Sequence, residues 1–164
     1  MMFIVRWPVV LVLLGLVAAC VFPALIGTIE TYNLPIDLSS VLAVSENLER
    51  WAESTTMPER VLWYAAGVLF FVTAVRLIRR TQGFWVWLLG FACYGARWAL
   101  GQQHQEGGFA GTLSELTPDQ FTPDALASGG STAQVTFLAF MLVVGLLIFL
   151  IDAADRAHWD RQGA

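Results

Sequence analysis

The sequence predicts an all-α integral membrane protein, a bundle of four transmembrane helices with an amphipathic helix in the first outer loop. Hydrophobic residues make up 57% of the 164 residues and charged residues only 13%, whereas about 25% of a soluble chain is charged. Four apolar runs are each about as long as a membrane-crossing helix. Most arginines also fall on one side of the resulting topology. We therefore predict a single membrane domain over residues 1–164, with crossings at about 8–28, 61–78, 84–100 and 133–151.

The first apolar run follows Arg6 and Trp7 and continues to Ile26. It has three interpretations: an uncleaved transmembrane helix, a cleaved signal peptide, or a lipoprotein signal ending in the small-small-Cys pattern before Cys20. The residues after Cys20 stay apolar, whereas the start of a mature secreted protein or lipoprotein is normally polar. We therefore expect an uncleaved helix, and processing at Cys20 is the alternative.

The first outer loop, residues 29–60, contains a helical pattern. Val41, Val44, Leu48 and Trp51 recur at helical spacing, and acidic residues occupy other faces. Amphipathic helices that lie on anionic lipid usually have a basic polar face. We therefore expect this acidic helix to cover the outer end of the bundle or to contact a partner.

The second and third crossings form a hairpin, because only the polar residues 79–83 join them. Short arginine-rich loops stay on the cytoplasmic side of a membrane. With this turn inside, six arginines are cytoplasmic, namely Arg6, Arg76, Arg79, Arg80, Arg156 and Arg161. Arg50 and Arg60 lie outside, and Arg97 lies within a crossing. The count predicts that both termini lie in the cytoplasm, and in a bacterium the protein would lie in the inner membrane. Ten of the thirteen acidic residues then face outward.

Three small residues of the third crossing, Gly90, Cys93 and Gly101, share a helix face with Arg97. Small residues at such spacing let another helix approach closely. We predict that these three residues form a packing seam, and we leave homodimerisation through the third helix open.

Arg97 is the one charged residue well inside an apolar run. A charge at that depth is costly without a partner, which makes it a functional candidate by default. One interpretation is structural: the guanidinium reaches the outer headgroups or hydrogen-bonds a carbonyl of the bundle. The other is that Tyr94, Arg97 and Trp98 bind an anionic headgroup, a quinone carbonyl or a partner's carboxylate. The predicted crossings contain no acidic residue, which argues against ion-coupled transport.

Other classes of site have little support. The net charge of -4 and the pI of about 5.0 argue against nucleic acid as a partner. His104 and His158 lie on opposite predicted sides and cannot share a metal, while Asp119 and Asp124 lack the oxygen ligands of a calcium site. We predict no catalytic residue, no metal and no cofactor, although a lipid or a quinone would suit the third helix.

The function predicted from the sequence is non-catalytic: an accessory, assembly or stabilising subunit of a larger membrane complex. Abundant aromatic residues, the packing seam and the shortage of polar groups in the crossings support it. The alternative is a lipid- or quinone-binding or transport protein centred on the third helix.

Overall fold

The computed structural model describes residues 2–32, 56–102 and 131–162. All regular secondary structure in these ranges is α-helical, in the order α1 (Met2–Thr31), α2 (Met57–Ile78), α3 (Phe84–Gln102) and α4 (Ser131–Gln162). The predicted amphipathic helix, His104 and the aspartates Asp119 and Asp124 lie outside the described residues.

Each predicted crossing corresponds to one helix, and the helices extend past the apolar runs at several ends. Among the described residues, three segments are long and apolar enough to cross a membrane: Val5–Ile29, Met57–Ile78 and Thr136–His158. Helix α3 is not one of the three, so its crossing stays a prediction. Its 19 residues span about 28 Å, close to the thickness of the hydrocarbon layer.

The helices pack in chain order. Helix α1 lies against α2 and α2 against α3, while α4 contacts both α3 and α1. Arg6 near the start of α1 contacts the carbonyl of Leu77 near the end of α2, so these two helices are antiparallel. We call the end of the bundle that contains Arg6, the turn at residues 79–83 and Asp155 the turn end, and the end that contains Thr28, Glu59 and Arg97 the far end.

Large side chains fill the interior between the helices. Helices α1, α2 and α4 contribute fully buried side chains, which include Leu13, Trp63, Phe70, Met141 and Ile148. Helix α3 contributes Trp87, which is 2% exposed. The periphery is apolar as well, with large exposed apolar side chains on every helix. In lipid such side chains are not a liability, and close van der Waals packing holds the helices together.

One glycine lies at each contact between consecutive helices. A Cβ at Gly67 would lie 2.8 Å from the Val21 side chain of α1, and a Cβ at Gly90 would lie 2.9 Å from the Phe70 ring of α2. A Cβ at Gly145 would overlap the indole of Trp87 from α3. At these points the backbone of one helix therefore touches a side chain of its neighbour, as small residues permit.

Helix α2 ends in a Schellman turn. The amide of Arg80 donates to the carbonyl of Leu77 at 3.2 Å, and the amide of Thr81 donates to that of Arg76 at 2.9 Å. Arg80 has a φ of 56°, the left-handed conformation that usually selects glycine at this position. The turn reverses the chain within a few residues and sets α3 against α2.

Candidate functional site

Arg97, the candidate that the sequence singles out, lies over the indole of Trp63. Its Cζ is 4.1 Å from the ring centroid, and Trp63 is 1% exposed. A guanidinium on the face of a tryptophan is a favourable cation–π contact, and it is stronger away from water. The arginine of α3 is thereby held against α2 inside the same chain.

The surroundings of Arg97 carry compensating groups. Glu59, Tyr94 and Cys20 all lie within Coulombic range of the guanidinium. Glu59 is only 4% exposed, so a buried carboxylate from the start of α2 accompanies the half-buried Arg97. This arrangement favours the structural interpretation of Arg97.

Tyr94 and Trp98, the other predicted ligand-binding residues, also face their own chain. The Tyr94 ring lies 5.4 Å from that of Phe137 in α4, and Trp98 is buried at 7% exposure. Tyr94 thus belongs to the cluster around Arg97, whereas Trp98 is a buried side chain of the bundle. Ligand binding by these three residues stays a prediction.

Glu59 belongs to the cluster around Arg97, and the sequence analysis missed it because the second crossing was placed from Val61 onward. The structure begins α2 at Met57, and a Glu59 carboxylate oxygen accepts from the amide of Thr56 at 2.9 Å. The signal is present in the sequence: Thr-x-x-Glu before an apolar run is the pattern of a capping box. The same carboxylate that caps the helix also lies near Arg97.

The predicted packing seam is oriented toward α2 at Gly90, which lies against Phe70 and Leu69. Cys93 is half-buried beside the core. Gly101 belongs to α3, but its surroundings lie outside the described side chains. At Gly90, the helix that packs against the seam is therefore α2 of the same chain.

A second polar cluster lies at the turn end. Arg6 donates to both carboxylate oxygens of Asp155 at 2.7 Å and to the carbonyl of Leu77 at 3.3 Å. Both hydrogen bonds come from one nitrogen, Nη2, and hydrogen bonds between two charged groups are stronger than those between neutral groups. Arg6 therefore joins α1, α2 and α4 at one point.

Asp152 extends this cluster to α3. One of its carboxylate oxygens accepts from the amides of both Gly83 and Phe84 at 2.8 Å, and the residue is 3% exposed. The first amides of a helix have no partner within the helix. A carboxylate there also interacts favourably with the helix dipole. A side chain of α4 thus caps α3.

A cavity of about 270 Å³ opens beside this cluster, lined by Arg80, Thr81, Gln82, Asp152, Asp155 and Arg156. The two carboxylates are already engaged by Arg6 and by the amides of Gly83 and Phe84. They serve the packing of the helices, and a pair of carboxylates used for acid–base chemistry would need one of them to face the substrate.

Within the described side chains, no three residues of the metal-ligating types lie close enough together to hold a metal ion. The two cysteines, Cys20 and Cys93, are not joined in a disulfide.

Comparison with known proteins does not assign the chain to a family: no family model matches it, and neither does any curated protein or solved structure.

Proposed function

We propose that this chain is a four-crossing protein of a bacterial inner membrane and that it acts as a non-catalytic accessory, assembly or stabilising subunit of a larger membrane complex. The observation that carries the proposal is the use of the charged side chains that lie between its helices. Arg6, Asp152 and Arg97 each contact a neighbouring helix of the same chain. Charged groups so engaged stabilise a scaffold.

The membrane location is supported by the apolar periphery of the bundle. Exposed side chains of α4 are typical of it: Phe140, Leu142, Val143, Leu146, Phe149 and Leu150 are each 42–57% exposed. Soluble monomers rarely expose contiguous apolar patches of this kind. The same surface is suited to contact lipid or the helices of a partner.

The four-crossing topology is supported by the position of the turn end. The start of α1, the end of α2, the start of α3 and the C-terminal part of α4 meet there. Successive helices therefore run in opposite directions. If α2 and α4 cross the membrane, α3 has to cross it in between.

The experiment that tests the proposal compares cells with and without the gene. In a deletion strain, blue-native gels of digitonin-extracted membranes should show less of one assembled membrane complex, and expression of the wild-type chain should restore it. A tagged chain should be recovered from that complex in a fixed stoichiometry, with an unrelated four-helix membrane protein as the control.

Two outcomes would overturn the proposal. Removal of the chain from membranes by alkaline carbonate would exclude the membrane location. Recovery of the chain alone, with one lipid or quinone species enriched and every complex intact in the deletion strain, would exclude the subunit role and support a binding protein centred on α3.

A further inference from the structure

A groove at the turn end lies on the face of α2 that points away from the bundle, and it combines apolar with basic side chains. Its volume is about 680 Å³. Its apolar part is formed by Phe71, Val72 and Val75 of α2, and its polar part by Arg76 and Arg79 with the turn residues Thr81 and Gln82.

The apolar part and the two arginines lie on one face of the helix. Positions 71, 72, 75, 76 and 79 recur at the three- and four-residue spacing of helix neighbours. Phe71 is 51% exposed and Val72 is 37% exposed, whereas Phe70 and Leu77 on the other face are buried. The groove therefore faces the surroundings of the bundle and does not belong to its core.

The two arginines have donors to spare. Arg76 uses one nitrogen, Nη1, to donate to the carbonyl of Gln82 at 3.1 Å, and a guanidinium has five N–H donors. Among the described residues, no carboxylate pairs with Arg76 or Arg79; the salt bridge at this end is between Arg6 and Asp155. Both guanidinium groups are exposed at the boundary between the apolar face and the polar turn.

We propose that this groove binds one anionic phospholipid, with the phosphate between Arg76 and Arg79 and the first part of an acyl chain along Phe71 and Val72. The inference rests on the membrane location in the proposed function, and not on the subunit role. Guanidinium groups recognise phosphate oxygens through charge-assisted hydrogen bonds. Two neighbouring cations favour a lipid with net negative charge over a zwitterionic one, since the zwitterionic headgroup carries its own cation.

The depth of the groove fits this ligand. Phe71 and Arg79 are eight positions apart in the chain, which is about 12 Å along a helix. The arginines lie at the end of the helix, at the level where headgroups meet the hydrocarbon layer. With the turn on the cytoplasmic side, the groove faces the leaflet in which anionic lipids attract basic side chains.

The test is lipid binding by the full chain, measured by native mass spectrometry with phosphatidylglycerol and phosphatidylcholine of identical acyl chains. The wild-type chain should retain phosphatidylglycerol preferentially. Arg76→Gln and Arg79→Gln should each lower this preference roughly fivefold. The matched control is Arg80→Gln, which removes the same charge from the same turn but not from the groove.

The apolar part has its own variant. Phe71→Ala should weaken the binding of both long-chain lipids and leave the preference between them unchanged. Inorganic phosphate at millimolar concentration should not displace the bound lipid.

Two results would overturn the inference. An equal loss of preference in Arg80→Gln would mean that the general positive field of the turn attracts the lipid. Displacement by inorganic phosphate would make the groove a phosphate site. Carbonate extraction of the same preparation separates these results from failure of the membrane location, because a chain that resists carbonate but shows no lipid preference overturns this inference alone.

Discussion

Arg6 is the residue on which most of the inter-helix polar contacts at the turn end converge. It is 7% exposed, and its partner Asp155 lies 149 positions further along the chain. A buried ion pair gains little over an apolar pair of the same shape, but removal of one member leaves the other charge without compensation. The pair therefore specifies which helix ends meet.

Arg6→Gln should lower the free energy of unfolding by about 3 kcal/mol, near the lower end of the range for a broken buried pair because Asp155 is partly exposed. Denaturant titration of the purified chain in detergent micelles measures it. Asp155→Asn should cost at least as much, since it leaves Arg6, the more buried member of the pair, without a counter-charge, and the double variant should cost less than the sum. Strict additivity of the two changes would contradict a direct pair.

Replacement of Arg80 by glycine should raise the free energy of unfolding, in contrast to replacement of Arg6. Its left-handed conformation costs about 1 kcal/mol in any residue with a Cβ, and glycine does not incur this cost. Arg80→Gly should therefore raise the free energy of unfolding by about 1 kcal/mol. The control is Arg79→Gly, where φ is -77° and glycine should be neutral or destabilising; a gain of equal size at both positions would contradict the argument.

The sequence predicts the types of these residues better than their partners. Arg6 reads as an interface anchor and Asp152 and Asp155 as a polar tail after the fourth crossing. Nothing local indicates that an aspartate near the C-terminus contacts an arginine near the N-terminus, because the contact depends on the packing of helices far apart in sequence. Glu59 differs in this respect, since its capping pattern is local and readable.

At the scale of the elements, glycines decide how closely the helices approach each other. Gly67, Gly90 and Gly145 each contact a side chain of a neighbouring helix, whereas no described atom of another helix lies within 4 Å of a Cβ placed at Gly95. Glycine lowers the stability of a helix relative to alanine by roughly 0.5–1 kcal/mol. The first three glycines are therefore required by packing, and Gly95 is not.

Gly145→Ala should destabilise the bundle by about 1–3 kcal/mol, the usual cost of overpacking, because its Cβ would overlap the buried indole of Trp87. Gly95→Ala in α3 is the matched control and should be neutral or slightly stabilising. Thermal unfolding in the same detergent, followed by circular dichroism, compares the two. A Gly145→Ala chain as stable as Gly95→Ala would show that α4 can move away from Trp87 without loss.

The elements themselves were predictable. Apolar runs of membrane length predict helices almost independently of their tertiary context, and the structure confirms that all four runs are helical. The boundaries were less predictable, because α2 and α4 continue through charged residues such as Glu59 and Asp152. Those additional turns are stabilised by caps and inter-helix hydrogen bonds that hydropathy does not register.

At the scale of the whole molecule, both described polar clusters lie at the ends of the bundle and the apolar side chains lie between them. The turn end carries Arg6, Asp152 and Asp155, and the far end carries Glu59 and Arg97. This distribution suits a molecule whose middle lies in hydrocarbon and whose ends reach the headgroups. The candidate site at Tyr94, Arg97 and Trp98 was predictable as a charged interruption of an apolar run, but its internal partners Trp63 and Glu59 were not.

The membrane topology of the whole chain can be tested by cysteine labelling. If all four helices cross the membrane, the N-terminus, the turn at residues 79–83 and the C-terminus all lie on the cytoplasmic side. Single cysteines introduced at Met2, Gln82 and Gly163 of a chain carrying Cys20→Ser and Cys93→Ser should then resist a membrane-impermeant maleimide in intact cells. A cysteine at Ser114, in the second predicted outer loop (residues 101–132), should react.

The alternative, in which α3 does not cross, places the C-terminus on the outside and makes the cysteine at Gly163 reactive. That outcome conflicts with the contacts at the turn end. Asp152 caps α3 at 2.8 Å from Gly83, and Arg6 binds Asp155, so the start of α1, the start of α3 and the C-terminal part of α4 share one end of the bundle. Permeabilised cells, in which all four cysteines should react, provide the control for accessibility. Labelling at Gly163 but not at Met2 in intact cells would therefore contradict the fold as well as the topology.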